Sequence, residues 1–85
     1  MSDQPEYQEI GERLARIRQA FSSESQKAWA EKNRFNPTQY NNWEKGKRRI
    51  PIECAMELCT RYGLTLDFVY RGRSDGLSES LRKSL

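Results

Sequence analysis

Thr38, Asn41, Asn42 and Lys45 are spaced so that a helix starting at Pro37 gathers them on one side. At about 100° per residue from Pro37 they fall between about 40° and about 140°, whereas Trp43 and Tyr40 fall near about 240° and about 300°. The aromatic side suits a core. The opposite side carries amides, a hydroxyl and an ammonium group, with no carboxylate, and that set matches the edges of base pairs. Asparagine can bond adenine through both amide atoms, threonine can bond a base or phosphate and touch a thymine methyl, and lysine can reach guanine or phosphate. The chain then reads Lys45-Gly46-Lys47-Arg48-Arg49. A helix lying in a groove needs phosphate donors on both of its sides, and Lys45, Lys47, Arg48 and Arg49 can supply one of them. Gln26, at the start of the preceding helix, can add its side chain and nearby backbone donors on the other.

These residues need helices to hold them. Asn36-Pro37-Thr38-Gln39 is the clearest boundary in the chain: an Asn cap, a proline at the first helical position, and a glutamine at the third to complete a capping-box-like pair. It predicts a helix from Pro37 to Lys45, ended by Gly46 in a left-handed turn, with the basic residues at the negative end of the helix dipole. The helix before it runs from Gln26 to about Lys32 with Ser25 as its cap, Trp29 and Ala30 facing inward, and Lys27 and Glu31 outward. Asn33-Arg34-Phe35 makes the turn between them, with Asn33 suited to a left-handed backbone.

Upstream, Ile10, Leu14, Ile17 and Phe21 recur at spacings of four, three and four. They predict a first helix from roughly Pro5 to Phe21. Gly11 within it costs up to about 1 kcal/mol relative to alanine, so its first turns are expected to fray or begin separately. Downstream, Pro51 and Glu53 open a fourth helix in which Ile52, Ala55, Met56 and Cys59 keep helical spacing up to Gly63. Thr65 caps a fifth, with Leu66, Val69 and Tyr70 on its apolar side and Gly72 at its end. The remaining tail is polar, yet Leu77, Leu81 and Leu85 recur every four residues, which fits either a short weak helix or a solvated segment. There is no strand alternation and no internal repeat. The expected fold is all-α: a compact five-helix domain over residues 1–72, then a tail over 73–85.

Eighty-five residues make one small domain whose core is only just large enough to fold alone, so pairing with a second copy would help it. The net charge of +3 is mild, and its concentration between Lys45 and Arg49 matters more than its size. No apolar run is long enough to cross a membrane. Met1 to Glu6 is polar and acidic rather than signal-like, so a cytoplasmic location is expected. Cys54 and Cys59, five apart on one predicted helix, point in different directions, read as reduced and structural, and lack the spacing of a metal site. With no histidine and no glycine-rich phosphate loop after a strand, neither an enzyme nor a cofactor is expected.

From Ile10 to Gly72 the chain resembles the phage-repressor-like helix-turn-helix family, the Cro/CI or XRE type. The resemblance rests on Ser25-Gln26, Ala30, the stretch Phe35-Asn36-Pro37-Thr38-Gln39-Tyr40-Asn41-Asn42-Trp43-Glu44-Lys45-Gly46-Lys47, and Tyr62-Gly63-Leu64-Thr65-Leu66-Asp67. It implies a lambda-repressor-like DNA-binding domain. Base-reading positions would fall on Pro37, Thr38, Asn41 and Asn42, backbone contacts on Lys45 and Lys47, a phosphate contact and support of the first reading residue on Gln26, and a structural role on Glu44. The chain departs from the family at Glu24, where an apolar residue is usual, and at Asn33-Arg34, where a glycine is common. Pro37 stands where a polar reading side chain is frequent, which shifts the expected specificity to Thr38 and Asn42.

The function expected from this resemblance is transcriptional regulation, most simply repression, by a homodimer that reads half-sites about 34 Å apart in a palindromic operator of double-stranded DNA. Phe68 and the Leu77/Leu81/Leu85 stripe are the expected dimer surface. A second reading keeps the fold but makes protein binding the main role, as in an antitoxin or phage regulator that engages its partner through the tail. RNA binding is disfavoured because no exposed aromatic platform is evident.

Overall fold

Among residues 5–85, which the computed structural model describes, every regular element is a helix. These are α1 (Gln8–Phe21), α2 (Gln26–Lys32), α3 (Pro37–Glu44), α4 (Ile52–Tyr62), α5 (Leu66–Arg71) and α6 (Glu79–Ser84). The all-α class holds, with six helices rather than five because the tail folds into α6. Met1–Gln4, part of the N-terminal stretch read as polar and not signal-like, lies outside the described residues. Among the described residues no helix is long and apolar enough to cross a membrane.

Single residues set most of the boundaries. Ser25, Thr65 and Ser78 accept hydrogen bonds from the amides of Ala28, Phe68 and Leu81, which start α2, α5 and α6. Gly63 and Gly72 close α4 and α5 in the left-handed region. Helix α1 begins three residues later than expected. Pro5–Tyr7 form a turn, and the Tyr7 amide donates to the Gly46 carbonyl at 3.0 Å.

Gly11 lies within an unbroken α1. It is buried, and a Cβ there would lie 2.3 Å from the Glu44 carbonyl oxygen and 2.7 Å from that of Trp43. The residue is a glycine so that α1 can lie against the last turn of α3.

Asn33 is also reassigned. Its backbone is not left-handed (φ −91°); that conformation falls on Arg34 (φ 64°). The Asn33 side chain is buried instead. Its amide donates to the Trp29 carbonyl, and its Oδ1 accepts from Arg61 and from the Tyr62 hydroxyl, which ties the turn after α2 to the end of α4.

The core is aromatic at its centre. Trp29, Phe35, Tyr40 and Trp43 pack with Leu14 and Ile17 of α1, Ala55 and Leu58 of α4, and Val69 of α5. Tyr62 stacks on Trp29 at 5.1 Å. Two expectations about apolar faces fail here. Ile52 and Met56 point outward, because Ala55 and Leu58 take the inward side of α4. Phe68 and Leu77, expected on a dimer surface, are 5% and 4% exposed within the chain's own core, and Leu81 and Leu85 pack half-buried against it. The leucine stripe folds back because an apolar strip beside an incompletely covered core gains more from burial there than from water.

Arg13 is a charged member of this interior. Its guanidinium donates to the Val69 carbonyl at 2.9 Å, near the negative end of α5. Burial, and then neighbouring Arg16, pull its pKa below the ordinary value.

Candidate nucleic-acid interface

The candidate reading helix is held at both ends by its own sequence. At its start, Asn36 Oδ1 accepts from the Gln39 amide at 3.0 Å, and Pro37 occupies a first-turn position where a missing N–H costs nothing. At its end, the Gly46 amide donates to the Trp43 carbonyl (3.1 Å) and the Lys47 amide to the Asn42 carbonyl (3.0 Å), the paired closure that a left-handed residue allows. The Arg48 amide also reaches the Asn42 carbonyl, at 3.3 Å. The basic loop is therefore pinned to the helix through the backbone of one candidate reading residue. Helix α3 ends at Glu44, one residue short of the expected span, and Lys45 is its C-cap.

Tyr40 and Trp43 are buried, at 0% and 5% exposure, as their angular position requires. Thr38 and Lys45 are exposed, and Pro37, Asn41 and Asn42 half-exposed. Pro37 offers a ring and no donor, so its part is to start the helix. Lys47, Arg48 and Arg49 are all exposed, with Arg49 lying over the Tyr7 ring at 5.8 Å.

Sequence reasoning missed Gln39 as a surface group by assigning it to the cap. Its amide N–H does serve the cap, but its side chain is exposed and lines a groove with Asn42, Arg48 and Arg49. At about 200° from Pro37 it extends the polar face by one position beyond Asn42, a signal the same angular count contains.

Gln26 sits at the first position of α2, and its Nε2 donates to Glu44 Oε1 at 2.9 Å. Arg18 of α1 grips the same carboxylate from the other side, Nε to Oε2 at 2.8 Å and Nη2 to Oε1 at 3.1 Å. Three helices thus meet at one carboxylate. Burial pushes the Glu44 pKa up, but Arg18, and after it the neighbouring Tyr40 hydroxyl and Gln26, outweigh it and hold the group below the ordinary carboxylate range. Its hydrogen bonds to Glu44 raise the Arg18 pKa in turn. Arg18 was not anticipated: a buried carboxylate, its side chain 7% exposed, calls for a cation, but which arginine of α1 meets it depends on how α1 lies across α3.

Beneath this clamp the Trp29 Nε1 and the Tyr40 hydroxyl are buried without a hydrogen bond. Burial first, and the nearby Glu44 carboxylate next, raise the Tyr40 pKa, so the phenol stays neutral. Tyr40 is a core residue here and not a surface group.

No family model, curated protein or solved structure matches the chain.

The geometry therefore has to be read by its own chemistry. It offers a helix face of amides and a hydroxyl, a basic loop fixed to that helix by three backbone bonds, and a second helix start tied to it by Gln26. Such a surface can donate to and accept from base edges while its cations meet phosphates. Among the described residues no group of three or more Cys, Asp or Glu side chains gathers as metal ligands would.

Proposed function

We propose that this protein binds double-stranded DNA in a sequence-dependent way, with α2 and α3 acting as a helix-turn-helix of the phage-repressor-like type. In this reading α3 enters the major groove. Thr38, Asn42 and Asn41 meet base edges, with Gln39 added at the margin, and Lys45, Lys47, Arg48 and Arg49 meet phosphates on one side. Gln26 meets a phosphate on the other side with its backbone amide and the part of its side chain not given to Glu44. The protein would work in the cytoplasm as a transcriptional regulator, most simply a repressor, in pairs on a palindromic operator.

One observation carries the reading: the face of Thr38, Asn41 and Asn42 runs directly into the exposed cations Lys45, Lys47, Arg48 and Arg49, and the Asn42 carbonyl accepts from the Lys47 and Arg48 amides, so the main chain of the basic loop is fixed to that face. The closure itself is a common helix ending that α2 shares; what sets this one apart is that it leads from a polar face without a carboxylate straight into four cations. Pre-set geometry of this kind lowers the ordering cost of binding a fixed lattice of phosphates.

Selection of bound sequences from random duplex DNA tests the proposal, and enrichment of a motif is expected. On that motif, Asn42→Ala should weaken specific binding by about 1–3 kcal/mol and leave non-specific binding nearly intact. Lys47→Ala should weaken both and lower the salt slope by about one. Failure to enrich any duplex, or indifference of both variants, would overturn the reading.

A further inference from the structure

Arginines of this chain are held in place in two ways. Arg18 meets Glu44, Arg61 meets Glu57 and Arg71 meets Asp67, and in each pair the carboxylate offsets the charge that it fixes. Arg49 is held differently. Its guanidinium lies over the Tyr7 ring, 5.8 Å from the centroid, and among the described residues it forms no ion pair. The face of a ring attracts a cation without neutralising it, and a stacked guanidinium keeps the N–H groups of its edge for another acceptor. Arg13 lies over the Phe68 ring at 6.0 Å, but it is buried and donates to the Val69 carbonyl. Arg49 is exposed, and its donors face water.

The main chain around Arg49 is fixed as well. The Tyr7 amide donates to the Gly46 carbonyl at 3.0 Å, and the Tyr70 hydroxyl donates to the Ile50 carbonyl at 2.7 Å. The basic loop is therefore held at both ends. From it the Arg49 side chain lines one groove with Gln39, Asn42 and Arg48, at the margin of the candidate reading face. A free arginine loses rotamer freedom when it meets a phosphate, and one already stacked on a ring has less left to lose.

We propose that Tyr7 is a positioning residue of the DNA surface: its ring holds the Arg49 guanidinium, charge intact, with the N–H edge turned to a phosphate oxygen. This role rests on the DNA-binding reading, and it extends that surface from α2 and α3 to the turn ahead of α1. Tyr7 acts through Arg49. The ring does the holding and the hydroxyl is not needed, so phenylalanine should replace tyrosine and leucine should not.

Two measurements on the full chain test this, one of them without DNA. In the free protein, the ring current of Tyr7 should move the Arg49 side-chain protons upfield in the NMR spectrum. Tyr7→Phe should keep that shift and Tyr7→Leu should lose it. For binding, the probe is a DNA duplex of mixed sequence at low salt, since a phosphate contact needs no particular base. Arg49→Ala should weaken binding and lower the salt slope by about one. Tyr7→Leu should weaken binding about two- to fivefold, the size of an exposed cation–π contact, and Tyr7→Phe should bind like wild type. In the Arg49→Ala background, Tyr7→Leu should have no further effect. A tyrosine that only supported the fold would cost affinity there too.

A Tyr7→Leu chain that binds like wild type, a Tyr7→Phe chain as weak as Tyr7→Leu, or an equal loss with and without Arg49 would sink the proposal. If the duplex is bound and the Arg49 protons are the same in Tyr7→Leu as in wild type, the role of Tyr7 is wrong and the DNA reading stands. If Tyr7→Leu loses the shift but wild type binds no duplex, the hold on Arg49 is real, and its use on DNA falls together with the DNA reading.

Discussion

Helices α2 and α3 end in the same pattern of hydrogen bonds built on different residues. After α2, the Phe35 amide donates to the Ala30 carbonyl and the Arg34 amide to that of Glu31; after α3, the Lys47 amide donates to Asn42 and the Gly46 amide to Trp43. Both closures need a left-handed residue, and they use Arg34 (φ 64°) and Gly46 (φ 76°). Arg34 is exposed, so its side chain meets only the intrinsic cost of that backbone, about 1–2 kcal/mol. At Gly46 a Cβ would lie 2.7 Å from the Gln8 Cα and 2.9 Å from the Tyr7 carbonyl carbon. The turn between the two helices faces water and tolerates strain. The turn that leads into the basic loop is a packing surface for α1, and it can be filled only by a residue without a side chain.

The largest expected effect follows from that difference. Gly46→Ala should destabilise the fold by about 3–4 kcal/mol, of which about 1–2 comes from the left-handed backbone and the rest from pushing α1 away. Urea unfolding measures it, and DNA affinity should fall as well, because the displaced element is the one that anchors Lys47 and Arg48. A cost near that of the backbone alone would mean that close approach is not what separates the two turns.

A second contact binds the end of α3 to α1, and it separates packing from charge as the source of the difference. Glu44→Gln leaves Arg18 without its anion. It should cost about 2–3 kcal/mol, below the loss for a fully buried pair because the Arg18 side chain is 17% exposed. In the native protein the Glu44 carboxyl titrates below its unfolded value. Its contribution is therefore complete above the ordinary carboxylate range and is lost as pH falls through the lowered value. Wild-type stability should drop more steeply on acidification than that of Glu44→Gln. Parallel pH profiles for the two proteins would show that the close-packed glycines, and not the clamp, hold α3 in place.

These two contacts mark where reading the sequence stops. Caps at Ser25, Asn36 and Thr65 were legible because a single side chain and an amide three residues on decide them. The two faces of α3 were legible because helical geometry alone sorts Tyr40 and Trp43 from Thr38 and Asn42. What could not be read is what depends on distant segments meeting. Gly11 looked like a weakness until Glu44 lay across it, Ile52 and Met56 looked as inward as Ala55, and the tail leucines had a core to join that no local pattern reveals. Arg18 belongs to the same class. Nothing in α1 distinguishes it from Arg16 until the carboxylate of α3 arrives.

The smallest effect tests the other half of the comparison. If the turn after α2 is strained but unpacked, Arg34→Gly should stabilise the protein. Removing the left-handed side chain returns about 1–2 kcal/mol, and the extra freedom of glycine in the unfolded chain takes back about 0.5–1. The net gain should be about 0.5–1 kcal/mol, which for a domain of this size raises the melting temperature by a few degrees. Arg34→Asn should fall between, since asparagine enters the left-handed region more easily than arginine. A loss of stability in Arg34→Gly would mean that the arginine side chain makes a compensating contact, and the two turns would then differ in what they hold rather than in how closely they are packed.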